Sequence, residues 1–208
     1  MNDSRVSKLL VWCGPVFAVL FLALSFASGD GPGEKASGAK IIDYYDDHRG
    51  ILEATVFLAP LAVALLIGFA AAVRARARHQ NENGVGPSIM LAGAAVWSAG
   101  MLLGSMITLG QLDASDHKHS EAGIALNDLA NASWVPFIGG IAVFLVGAGI
   151  TALTSRLLPA WLGWLAFVVG IVSLAGPGGF VGFFGAPLFM LIAGVVLSTR
   201  DRAPVGVA

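Results

Sequence analysis

Residues 157–199 read LLPAWLGWLAFVVGIVSLAGPGGFVGFFGAPLFMLIAGVVLST, 43 residues without one Asp, Glu, Lys or Arg. A bilayer core about 30 Å thick takes about 20 apolar residues per helix. The run is therefore too long for one span. The GPGG at 176–179 divides it, because Gly and Pro punctuate helices, and the two parts predict spans over about 161–175 and 181–198. Working outward, charge-free stretches recur at 9–29, 54–73, 83–112 and 129–155. They predict four more spans, over about 9–27, 52–73, 89–111 and 131–153. The expected fold is all-α: one transmembrane domain over 1–208, a bundle of six helices, multi-pass in the plasma membrane with the lipid bilayer as its main partner.

The composition agrees. Counted by AVILMFWYC the chain is 56% hydrophobic, and only 12% of it is charged. With the 27 glycines included and the two tyrosines left out, about 68% is apolar, against roughly 45–50% in soluble domains. A net charge of -1 with no basic cluster among aromatics argues against a nucleic-acid partner. The one cysteine, Cys13, lies in an apolar run, which excludes an intramolecular disulfide and a Cys-based zinc site.

The scarce charge sets the expected orientation through the positive-inside bias of short loops. With both termini cytoplasmic, the inner segments hold Arg5, Lys8, Arg74, Arg76, Arg78, Arg156, Arg200 and Arg202 against Asp3, Glu82 and Asp201, a net +5. The outer segments then hold Lys35, Lys40, Arg49 and Lys118 against Asp30, Glu34, Asp43, Asp46, Asp47, Glu53, Asp113, Asp116, Glu121 and Asp128, a net -6. An alternative makes residues 1–27 a signal peptide cleaved before Ser28. Its apolar run is longer than the usual core of about 7–15 residues, which favours a retained span.

Small residues allow close helix approach where lipid supplies no hydrophobic drive. Gly100 with Gly104, and Gly140 with Gly147, are therefore expected contacts, within the bundle or between copies in a homo-oligomer. Pro60 removes a donor from the carbonyl of Val56 inside the second span and predicts a kink. Pro136 sits in the first turns of the fourth span, where proline costs little. Trp12, Trp161 and Trp164 at one boundary and Trp134, Tyr44 and Tyr45 at the other form the expected aromatic belts. Trp97 falls deeper, and its indole N–H needs a partner.

Ionisable groups within spans are the default sites of membrane chemistry, and only Glu53 comes close, with Arg49 one turn earlier as its expected partner. All four histidines, His48, His79, His117 and His119, lie outside the spans. An intramembrane haem or a Ser–His protease therefore lacks its ligand or base. No HExxH, Walker-type glycine loop or dinucleotide fingerprint occurs. No catalytic residue and no cofactor is assigned, and the chain reads as a non-enzyme. Two His/acid clusters remain on the outer side, DYYDDHRG at 43–50 and DASDHKHSEAG at 113–123. Imidazole with carboxylate binds zinc-like ions, and the candidate ligands are Asp47, His48, Asp116, His117 and His119, with Lys118 an unfavourable neighbour. Asn127 and Asp128 read as N-caps of the fourth span. The arginines of RARARHQNENGVGPS, 74–88, suit anionic lipid headgroups.

The segments YYDDHRGILEA (44–54) and LPAWLGWLAFVVGIV (158–172) resemble a family of multi-span membrane proteins, a domain of unknown function common in high-GC Gram-positive bacteria. The resemblance implies a six-helix bundle in the plasma membrane and transfers no site residues. Three functions are open at this level. The first is a scaffold or accessory subunit for another membrane protein, recognising it through acidic outer loops. The second is a small transporter or a binder of lipid or another small molecule, and the third an outer-face divalent-metal sensor. A polar cavity reaching mid-membrane favours the second over the first.

Overall fold

A computed structural model describes the backbone of residues 3–79 and 84–200. Glu82, Asp201 and Arg202, and the side chains of Asp3, Arg5, Lys8, His79 and Arg200, all of which entered the sequence reading, lie outside the described residues. The described chain is all-helical: α1 (Asp3–Ser28), α2 (Gly38–Asp47), α3 (Arg49–His79), α4 (Val85–Asp116), α5 (Ser120–Ala132), α6 (Trp134–Ser155), α7 (Ala160–Ser173), a 3-10 turn (Gly176–Gly178) and α8 (Gly179–Arg200). Each of the six expected spans corresponds to a helix, α1, α3, α4, α6, α7 and α8. Among the described residues five stretches are long and apolar enough to cross a membrane: Leu9–Ser28, Arg49–Arg78, Val85–Asp116, Ser120–Ser155 and Gly179–Thr199. At 14 residues α7 is only about 21 Å long at a rise of 1.5 Å per residue.

The helices form a closed ring in which α1 packs on α3, α3 on α4, α4 on α6, α6 on α7, α7 on α8, and α8 back on α1. Inside it Phe17, Leu66, Phe69, Met90, Trp97, Phe144, Leu145 and Met190 are fully buried. The outside is apolar as well: Trp12, Val16 and Val19 on α1, Phe57 and Leu61 on α3, and Trp161, Trp164, Leu165 and Val168 on α7 are exposed. Helices that are apolar all round need lipid or protein on both faces.

Glycine sets the tightest contact, between α4 and α6. A Cβ at Gly93 would collide with the backbone nitrogen of Phe144, one at Gly140 with that of Trp97, and one at Gly147 with that of Met90. At Gly86 and Gly100 it would come within 2.9 Å of Thr151 N and Phe137 Cα. The partners run in opposite directions in one register, Gly86 to Thr151, Met90 to Gly147, Gly93 to Phe144, Trp97 to Gly140 and Gly100 to Phe137. Steps of four and three along both helices give the period of 3.5 that characterises coiled-coil seams. Gly140, Gly147 and Gly100 thus serve packing inside the chain. Gly104 corrects the expected pair, since a Cβ there would meet nothing within 4 Å. A groove of about 560 Å³ between α7 and α8 is lined only by apolar residues such as Leu165, Val169, Phe184 and Leu188.

Two helices were not expected. The stretch 38–47 forms amphipathic α2, burying Ile41, Ile42 and Tyr45, and α5 begins inside the second acidic cluster, at Ser120, and runs to Ala132 just before α6. Both pack on the last turns of α4, burying Gln111, Leu112 and Ser115. The end of the bundle carrying α2 and α5 is the acidic end, and the end carrying Arg74, Arg76, Arg78 and Arg156 is the basic end. Asn127 and Asp128 lie within α5 and cap no span, because the helix starts earlier, at Ser120. The buried Asn127 side chain instead donates from Nδ2 to the carbonyl of Gly33 (3.3 Å). Helix α3 runs through Pro60 as one element.

Candidate functional site

The buried face of α4 is continuous from Gly86 to Gly100, resumes at Ile107, and is interrupted between them. A cavity of about 310 Å³ fills the interruption. Its walls are Phe21, Leu24, Ser25 and Ser28 of α1, Thr55, Val56, Ala59 and Ala62 of α3, and Gly100, Met101, Gly104, Ser105 and Thr108 of α4. Ala130, Ser133, Trp134, Phe137 and Phe183 complete them. It starts at the acidic end, at Ser28, Thr55 and Ser133, and runs to Phe21, Ala62 and Gly100. Seven residues from Ser28 to Phe21 correspond to about 10 Å of helix.

No wall residue is ionisable, and six carry hydroxyls. Each hydroxyl donates to a carbonyl of its own chain segment: Ser25 to Phe21 (2.8 Å), Ser28 to Leu24 (2.9 Å), Thr55 to Ile51 (2.8 Å), Ser105 to Met101 (3.0 Å), Thr108 to Gly104 (3.0 Å) and Ser133 to Ala130 (2.7 Å). A hydroxyl has one hydrogen and two lone pairs. With the hydrogen spent on the helix, what it offers a neighbour is an acceptor.

Aromatic rings form the deep wall. Phe21 stacks on Phe137 at 6.3 Å and meets Phe183 at 5.1 Å, while Trp134 lies 5.8 Å from Phe137 and 5.7 Å from Phe183. Behind them Trp97 meets Phe17, Phe21, Phe137 and Phe144 with ring centroids 5.1–6.2 Å apart. Trp97 is fully buried, and its expected partner is missing: the indole N–H finds no acceptor among the described residues. The packed layer of Phe17, Trp97 and Phe144 continues toward the basic end through Phe69, Met90 and Met190, all fully buried.

A polar network fixes α2 and α5 beside the cavity. Tyr44 of α2 donates its hydroxyl to the carbonyl of Ser28, a wall residue (2.8 Å). Burial first, and the charge of Asp30 second, raise the Tyr44 hydroxyl above its usual pKa. Arg49 holds Glu53 at 2.9 Å, as expected, and also grips Asp116 of α4 with both terminal nitrogens, Nη2 at 2.9 Å from Oδ2. Asp46 accepts from Lys118 and from the Ser115 hydroxyl, and these two contacts, that with Lys118 the larger, hold its carboxyl below the ordinary 3.8. Lys118 is in place because α4 ends in a Schellman motif: His119 N–H reaches the Ala114 carbonyl (2.9 Å) and Lys118 N–H that of Ser115 (3.1 Å). The motif puts Lys118 at φ +54°, in the left-handed region. Gln111, with its amide oriented to donate to the Gly123 carbonyl (3.3 Å) and accept from Asn127 N–H (2.8 Å), joins α4 to α5.

The five expected metal ligands are all at this end, and the structure does not gather them. Among the described residues no three His, Cys, Asp or Glu side chains form a group able to hold a metal ion. Asp116 is engaged by Arg49. His48 stacks on Tyr44 at 4.5 Å with Nδ1 3.0 Å from the Tyr44 carbonyl oxygen. The rings of His117 and His119 lie 5.5 Å apart, with His117 Nδ1 at the Asp113 carbonyl oxygen (3.0 Å). Asp47 ends α2 and is exposed.

Sequence reasoning passed over the wall hydroxyls because Ser and Thr scattered through apolar helices carry no motif. The available signal was positional: Ser25 and Ser28, and Ser105 and Thr108, are spaced by three, which places each pair on one helix face. Comparison with protein-family profiles, curated proteins and solved structures finds no match for the chain.

Proposed function

We propose that the chain is a six-span protein of the plasma membrane, with both termini cytoplasmic, that binds a small amphipathic molecule in a cavity facing outward. The observation that carries the reading is the cavity itself: acceptors and aromatic rings in a space of about 310 Å³, at the small end of the roughly 300–1,000 Å³ of ligand pockets. Orientation follows from the basic end, which belongs inside. Helix α7, with Leu157 and Leu158 before it and Leu174 after it, supplies the sixth span. Because the cavity stops at a fully packed layer, the protein holds its ligand from one side, as a binding subunit does. The scaffold reading draws on a separate observation, the network that fixes α2 and α5, a surface suited to a partner protein.

The test uses N-phenyl-1-naphthylamine, a neutral probe whose fluorescence rises in apolar surroundings, with the full chain in phosphatidylcholine nanodiscs. Saturable fluorescence above that of empty nanodiscs is expected. Gly104→Leu places a side chain where a Cβ meets open space, so it should fill the cavity and abolish the signal while the thermal midpoint holds. A signal equal to that of empty nanodiscs would overturn the reading.

A further inference from the structure

Resting on the cavity reading, we propose that its ligand is a protonated amine with an apolar body: the ammonium donates to the hydroxyl oxygens and lies over the aromatic wall. Three observations converge on a cation that donates. The first is the direction of the wall's hydrogen bonds. With the hydrogens of Ser25, Ser105 and Thr108 committed to carbonyls, their oxygens serve a donor and leave an acceptor unpaired. The one N–H among the wall side chains, the Trp134 indole, has its nitrogen beside Gly179 of α8. A carboxylate or phosphate, which only accepts, would enter this cavity stripped of water and without partners.

The second is the aromatic wall, since the negative face of an aromatic ring attracts a cation. Trp is the best such ring, and Trp134 stands among Phe137, Phe180 and Phe183. The third is charge. Asp30 and Asp128 each stand two residues from a wall residue, Ser28 and Ala130 respectively. The nearest base in sequence, Arg49, is spent on Glu53 and Asp116. An acidic approach raises the local concentration of a cation and lowers that of an anion. An alcohol has one hydrogen to give and no charge, an ammonium three and a charge, so the wall ranks amine above alcohol above carboxylate. Since liquid water takes about 30 Å³ per molecule, the cavity holds about ten waters or a ligand of comparable bulk.

The experiment compares three probes of one shape by calorimetry at neutral pH: 4-phenylbutylamine, 4-phenylbutanol and 4-phenylbutanoate, each against the full chain in phosphatidylcholine nanodiscs with empty nanodiscs subtracted. The amine should bind about tenfold tighter than the alcohol, and the carboxylate should not bind. Thr108→Val keeps the shape of the wall and removes an acceptor, so it should weaken the amine several-fold more than the alcohol. Gly104→Leu should abolish both. An alcohol that binds as tightly as the amine would overturn the cationic ligand and leave the cavity reading standing. No binding of any probe beyond empty nanodiscs would overturn both. A further arm adds phosphatidylethanolamine to the nanodiscs. Competition with the amine assigns the ammonium to a lipid headgroup, unchanged affinity assigns it to a soluble amine, and either supports the chemistry proposed.

Discussion

At the residue scale, glycines that look alike in sequence have opposite duties. Gly93 and Gly147 are places where two backbones touch, and Gly104 and Gly139 face open space. Adding a methyl group to a tightly packed site costs about 1–3 kcal/mol and forces backbone shifts, whereas Gly to Ala at an open helix position relieves an entropic cost of about 0.5–1 kcal/mol. Gly93→Ala is therefore expected to lower the thermal midpoint in detergent, and Gly139→Ala to leave it equal or raise it. Equal losses would show that the α4–α6 seam is not where stability is held. The small-residue rule found Gly100, Gly140 and Gly147 correctly and mistook Gly104, because the spacing of two glycines on one helix does not say whether a second helix faces both. Trp97 was legible as a deep tryptophan, but its unpartnered N–H depends on four aromatic neighbours from two other helices and its own position among them.

At the element scale, the long apolar helices were readable from the absence of charge, and α2 and α5 were not, because short amphipathic helices inside charged segments resemble solvated loops. Helix α2 is held by a few polar contacts and a small cluster of Ile41, Tyr45, Leu52 and Leu112. Asp46 is its tie to the end of α4. A carboxyl held below its ordinary value in the folded state contributes stability that is present above that ordinary value and lost as the pH falls through the folded one. The protection of amides over residues 38–47, taken relative to the unstructured exchange rate at each pH, should therefore stay constant from neutral pH down to about pH 5 and fall only below the ordinary 3.8. Protection already lost near pH 6 would show that Asp46 is not the tie. The expected metal ligands show the same limit of local reading. The side chains come from two elements at one end, and one of them, Asp116, is held by Arg49, a pairing that spans 67 residues.

At the scale of the whole molecule, topology is the quantity most open to direct measurement. In a Cys13→Ala background, Glu121→Cys at the exposed acidic end should react with an impermeant maleimide on intact cells, and Arg78→Cys at the basic end only after the membrane is opened. The reverse pattern would invert the bundle and turn the cavity toward the cytoplasm. The sequence by itself determined the helical class, the places of the long helices and the division of charge between two ends, because each follows from the cost of exposing backbone or charge to lipid and is written along one segment. Only the tertiary structure decided which glycines meet a neighbour, which acids are already paired, and that six scattered hydroxyls line one cavity. Those depend on the register between helices far apart in the chain, which packing sets and no single segment encodes.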